Sequence, residues 1–186
     1  MARVITAVRE FERASVSHRI LVSAIIVVSL MVLTTLAAQV RIPLPFSPVP
    51  LTLQTFAVLL AGIAGGPLLG AISQGLYVGL GAAGVPVFAG FSAGIGGATT
   101  GYLLAFPVAA WLVGMGVRSG RLWLSGVSIL GATLMIYLGG TGWLWLVLGK
   151  SLPLAISVGV VPFIFGDAMK AVAAWMLTGM LRFRGR

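Results

Sequence analysis

An all-α integral membrane protein with six transmembrane helices and both termini cytoplasmic is the fold class this sequence predicts, and three observations carry it. The chain of 186 residues is 59% hydrophobic and 8% charged, where a soluble domain is about one quarter charged. Its apolar runs are long and continuous, without the alternation of a barrel strand. Its basic residues gather where those runs end. A water-soluble fold of this length could not hide so much apolar surface, because small domains bury only part of what their chains expose.

A bilayer core of ~30 Å takes ~20 apolar residues in a helix. Residues 1–19 are basic and read as a cytoplasmic segment. The apolar stretch that follows runs to about Val40, longer than a signal-peptide core, so it is read as a retained first span over 20–40. The segment RIPLPFSPVP (41–50) holds four prolines and cannot be helical. Span 2 is predicted over 52–64, ending at AGGP, and span 3 over 67–83, ending at the glycine-rich GVPVFAGFSAGIGG. Span 4 is predicted over 98–117, and the turn RSGR leads to span 5 over 122–146. Lys150 and Pro153 mark a connection to span 6 over 154–181. The membrane domain then covers 20–181, with a basic tail over 182–186.

The basic residues support this arrangement. Six spans with the N-terminus inside put Arg3, Arg9, Arg13, Arg19, Arg118, Arg121, Arg182, Arg184 and Arg186 on one side. Arg41 and Lys150 fall on the other, the bias expected for cytoplasmic loops. The net charge of +9 therefore belongs to topology rather than to a nucleic-acid face. The inner turns are minimal. The outer loops at 41–50 and 84–97 are long, apolar and aromatic, and are predicted to fold back over the bundle. Irregular backbone at that depth needs protein or a cavity to cover it.

One feature breaks the apolar pattern of the last span. VPFIFGDAMKAVAAW holds Asp167, the only acid beyond residue 12, and Lys170 three residues later. The i, i+3 spacing puts both on one helix face. A charge at the bilayer centre costs ~2.5–3.5 kcal/mol on the gentler insertion scale, so an intramembrane pair marks a functional site by default. The bland alternative is a structural tie between helices, although hydrophobic replacements of buried ion pairs are often no less stable. Pro162 and Gly166 predict a kink just before the pair. A carboxylate accepts from N–H donors and an ammonium donates to a carbonyl or carboxylate. With apolar walls, the pair suits a small amphipathic molecule such as a vitamin or cyclic urea.

Thr52, Gln54, Gln74, Thr99, Thr100 and Tyr102 are further polar candidates, each individually read as structural. Trp143 and Trp145 read as an interfacial belt. Closely spaced glycines such as Gly62, Gly66 and Gly70 allow tight helix packing. There is no cysteine, and the only histidine is His18. That excludes a disulfide framework, a thiolate nucleophile and a His/Cys metal set. No phosphate-binding loop and no repeated halves are present, so no nucleotide-driven step is expected within the chain itself.

Four stretches resemble one family. IPLPFSPVPLTLQTFAVLLAG (42–62), GAAGVPVFAG (81–90), GYLLAF (101–106) and PFIFGDAMKA (162–171) are similar to motifs of the BioY biotin transporters. These are substrate-binding S components of energy-coupling-factor (ECF) transporters, and the likeness runs from about Ala37 to Ala174. It implies a six-helix bundle that binds biotin on its outer side, beneath the loop between spans 1 and 2. The family's GD-x-x-K pattern falls on Asp167 and Lys170. The substrate-binding residues expected are Asp167, Lys170, Tyr102, Gln54 and Phe46, with Lys170 meeting either the ureido carbonyl or only Asp167. Two departures stand out. GATTGY (97–102) replaces the usual GPTGGY, and ILVSAIIVVSL (20–30) lacks an Ala-x-x-x-Ala motif for docking.

The implied partners are a transmembrane coupling subunit and cytoplasmic ATPases in a bacterial inner membrane. They would hydrolyse ATP while this chain reorients to release biotin. No cofactor and no enzyme activity are expected. The rival readings are a stand-alone biotin facilitator or proton-coupled carrier, an intramembrane enzyme, and a purely structural subunit.

Overall fold

A computed structural model of the chain describes residues 16–149 and 151–184. Most of the N-terminal segment over 1–19, Lys150 and the last two residues of the basic tail lie outside the described residues. The first helix among the described residues, α1 (Val16–Gln39), contains neither Gly nor Pro over 24 residues and is therefore ~36 Å long. Arg41–Ile42 (β1) and Leu51–Thr52 (β2) pair as a short antiparallel ribbon, Arg41 opposite Thr52 and Ile42 opposite Leu51. The helices α2 (Gln54–Ala82), α3 (Thr100–Arg118) and α4 (Leu122–Leu148) follow. The last described elements are α5 (Leu152–Gly159), a 3-10 turn at Val161–Phe163, and α6 (Ile164–Arg184).

The predicted count of six transmembrane helices is corrected here. Five helical stretches among the described residues are long and apolar enough to cross a membrane: Val16–Gln39, Gln54–Ala82, Thr100–Arg118, Leu122–Leu146 and Leu152–Met180. The separate spans predicted over 52–64 and 67–83 are one 29-residue element, α2, with no connecting loop at AGGP. The physical reason is the Gly66–Pro67 step. Gly66 takes φ 65 and ψ −170, a conformation open to glycine, and Pro67 starts the next turn without needing a donor. The chain is redirected within a single residue. The two arms of α2 then pack side by side, and Gln54 donates to the Tyr77 hydroxyl at 2.6 Å across 23 residues of sequence.

Small residues bring the other helices together. A side chain at Gly101 would collide with the Gly139 carbonyl and the Trp143 side chain, so α3 and α4 touch backbone to backbone. Thr34 of α1 donates to the Leu30 carbonyl at 3.0 Å and accepts from Gln74 Nε2 at 3.1 Å. That buried pair fastens α1 to the second arm of α2, which gives Gln74 its structural role. The apolar residues left outside, such as Leu36, Leu138 and Phe165, form the kind of continuous greasy surface that a bilayer covers.

Both apolar loops fold onto the bundle, as their composition predicts. Val49 of the first and Val87 and Phe88 of the second are buried in the core. Phe88 meets Tyr77 edge-on, with ring centroids 5.3 Å apart. Ser47 Oγ donates to the Val158 carbonyl at 2.7 Å. Gln39 holds the second loop, donating to the Phe88 carbonyl at 3.2 Å and accepting from the Gly90 and Phe91 amides.

Candidate functional site

The break in the last span positions the charged pair. A helix cannot run through Pro162 without losing a hydrogen bond, and the chain passes from α5 through the 3-10 turn into α6. Tyr102 donates to the Gly159 carbonyl at 2.6 Å, and Ser47 takes the Val158 carbonyl. Two of the carbonyls that this break leaves without helical partners are thereby satisfied. Asp167 lies in the first turn of α6. There the free amides and the positive end of the helix dipole favour a carboxylate.

Asp167 is 5% exposed, and its carboxylate accepts three hydrogen bonds. Lys170 Nζ donates to Oδ1 at 2.7 Å and Thr55 Oγ1 donates to Oδ1 at 2.9 Å. Tyr137 donates to Oδ2 at 2.8 Å. Lys170 has two further acceptors, the Thr52 carbonyl at 2.6 Å and Thr55 Oγ1 at 3.1 Å. Three elements therefore converge on one ion pair: the β2–α2 junction, α4 and α6. Burying both charges is tolerable because the pairing and the extra hydrogen bonds offset the lost hydration.

Around the pair is a narrow cleft of about 50 Å³. Apolar walls come from Val49, Leu51, Phe106, Ile136 and Phe163. The polar groups are the pair, Thr52, Gln54, Thr55, Thr99, Tyr102 and Tyr137. Such a site can hold a compact apolar body and offer hydrogen bonds at one end. Among the described residues, no group of three or more His, Cys, Asp or Glu gathers as a metal site would need.

Four of the five residues singled out from the sequence line this cleft: Asp167, Lys170, Tyr102 and Gln54. Tyr102 presents its ring, because its hydroxyl is committed to Gly159. Gln54 is committed to Tyr77 through Nε2 and accepts from Thr52 Oγ1 at 3.1 Å through Oε1. The fifth, Phe46, is 63% exposed and lies outside the lining, because the proline-rich loop turns Val49 inward instead. Thr99 also lines the cleft. Thr100 instead accepts from the Gly96 amide at 2.8 Å, and Trp143 donates to the Gly97 carbonyl at 2.9 Å, so both brace the second loop.

Thr55 and Tyr137 were missed in the sequence. Thr55 is one threonine among several, and nothing local separates it from the rest. Tyr137 had a signal, since the chain has only three tyrosines and this one interrupts the apolar run of α4.

Comparison with known proteins gives a consistent picture. The pattern of the BioY family matches residues 10–185. A probable biotin transporter BioY of Pyrococcus horikoshii is 43% identical over 153 residues, covering 81% of this chain and 90% of that protein. The biotin transporter BioY of Thermotoga maritima is 38% identical over 148 residues, covering 76% and 85%. A crystal structure of the S-component for biotin from an ECF-type ABC transporter superposes with a TM-score of 0.80. It is 24% identical and covers 91% of this chain and 95% of that one, a likeness of fold.

Proposed function

The chain belongs to the BioY family of multi-pass membrane proteins, and on that premise we propose that it is a membrane-embedded biotin-binding subunit that mediates biotin uptake. It works as the S component of an ECF-type ABC transporter. A transmembrane coupling subunit and cytoplasmic ATPases supply the energy, and this chain supplies the site.

The observation that carries the reading is the buried pair in a mostly apolar cleft, lined on one side by Val49 and Pro50 of the loop over 41–50. The ureido ring of biotin has two N–H donors and a carbonyl, and its thiophane ring and aliphatic chain are apolar. In this reading Asp167 accepts from a ureido N–H and Tyr137 stays on the carboxylate to orient it. The thiophane ring and chain lie against Phe106, Ile136 and Phe163. Lys170 pairs with Asp167 and offsets the cost of burying the carboxylate.

Mass spectrometry of the small molecule that leaves with the detergent-extracted protein tests the reading. Biotin in near-stoichiometric amount is expected, and an apolar lipid or nothing after growth in biotin would contradict it. Uptake of labelled biotin by proteoliposomes separates the S component from a self-sufficient carrier. Flux that requires coupling and ATPase subunits is expected, and equal flux from the chain alone would overturn that part.

A further inference from the structure

We propose that Arg41 is the specificity residue that makes this site select a free acid, by holding the carboxylate at the far end of the ligand. The inference rests on the reading that the ligand is biotin, whose side chain ends in a carboxylate.

A carboxylate brought into this cleft needs a cation, and Lys170 is already engaged. Its three N–H donors go to Asp167, the Thr52 carbonyl and Thr55. The remaining cations with described side chains are Arg19, Arg41, Arg118 and Arg121, and only Arg41 lines a cavity that adjoins the site. That second cavity, about 230 Å³, shares Pro50, Gln54, Thr99 and Leu103 with the first. The two cavities therefore adjoin along these four residues, one holding the ion pair and the other the guanidinium.

Arg41 is also held in place. The β-ribbon fixes it directly opposite Thr52, the residue whose carbonyl takes Lys170. Paired residues in such a ribbon sit ~5 Å apart between Cα atoms, so the ribbon keeps the Arg41 backbone close to the Thr52 carbonyl that takes Lys170. On its other side the guanidinium rests against Gly90, which has φ +71 and where any side chain would collide with it. Gln39 binds the Gly90 and Phe91 amides and so keeps that surface still. Asp167, the only acid among the described residues, is taken by Lys170. The Arg41 guanidinium therefore has no carboxylate partner among the described residues and is suited to bidentate recognition of one from a ligand.

The test is calorimetric titration of the ligand-free full chain with biotin and with its neutral primary amide, at low ionic strength. The wild type is expected to prefer biotin by roughly tenfold, the size of one charge-assisted contact. Arg41→Gln is expected to lose that preference by binding biotin more weakly while holding the amide within about twofold. Arg41→Lys is expected to keep part of the preference. A wild type that binds both compounds equally, or an Arg41→Gln variant that keeps the wild-type ratio, overturns the assignment and leaves the biotin reading intact. Should Arg41→Gln bind neither compound, Arg41→Lys decides: retained preference supports the assignment and lost preference overturns it. A wild type that binds neither compound overturns the biotin reading, and this inference with it.

Discussion

Tyr137 of α4 donates its hydroxyl to Oδ2 of Asp167 at 2.8 Å, on the carboxylate oxygen that Lys170 does not touch. The acid is thus held from two helices, with its charge compensated on one oxygen and its direction set by the other. Tyr137→Phe removes that donor without changing the ring. A buried acceptor left without a partner costs ~1–3 kcal/mol. Thermal unfolding in detergent should show the loss, and biotin titration should show weakened affinity as the carboxylate loses its orientation. An unchanged profile in both would remove Tyr137 from the site.

Asp167→Asn keeps one acceptor and loses the charge. A hydrogen bond to a charged group contributes ~1.5–3 kcal/mol, so affinity for biotin should fall by about 10- to 150-fold. The variant should still fold, because one of Thr55 and Tyr137 keeps an oxygen to bind and Lys170 keeps the Thr52 carbonyl and Thr55 Oγ1. Titration giving the wild-type affinity would take the acid out of ligand recognition.

Lys170→Ala leaves Asp167 buried beside two hydroxyls with no cation. Breaking a buried pair from one side costs ~3–5 kcal/mol. Adding Asp167→Asn should recover a large part of that loss, so the double variant should melt higher than Lys170→Ala alone. A double variant no more stable than the single would show that the two charges are not energetically coupled.

Gly66→Ala tests the bend in α2. At φ 65 and ψ −170, a region essentially confined to glycine, an L-residue costs ~1–3 kcal/mol, and the arms that place Gln54 beside Tyr77 depend on that bend. Gly75→Ala is the control within the same element, since a methyl there meets nothing within 4 Å. The first should lower the thermal midpoint clearly and the second should not. Equal effects would mean that the strain at Gly66 is not what matters.

The ion pair was legible in the sequence because charge is so costly within an apolar run that its presence is itself information. The kink before it was legible from Pro162. The division between spans 2 and 3 was not. AGGP contains the residues of a connecting turn, and only backbone geometry shows that Gly66 redirects one element without a loop. The site's other members were harder still. Thr55 and Tyr137 reach Asp167 across 112 and 30 residues of sequence, and no spacing rule links residues on different helices. Phe46 was chosen from the motif around it, whereas the turn of a proline-rich loop decides which of its side chains points inward.

Equilibrium binding of biotin to the full chain and to the Asp167→Asn/Lys170→Met double variant most directly tests whether the buried pair is a ligand site. Both proteins must first show cooperative thermal unfolding. One biotin per wild-type chain is predicted, with affinity at least about tenfold weaker in the double variant, in line with the loss of one or more charge-assisted contacts. Equal affinity in the two proteins would make the pair a structural tie and contradict the account.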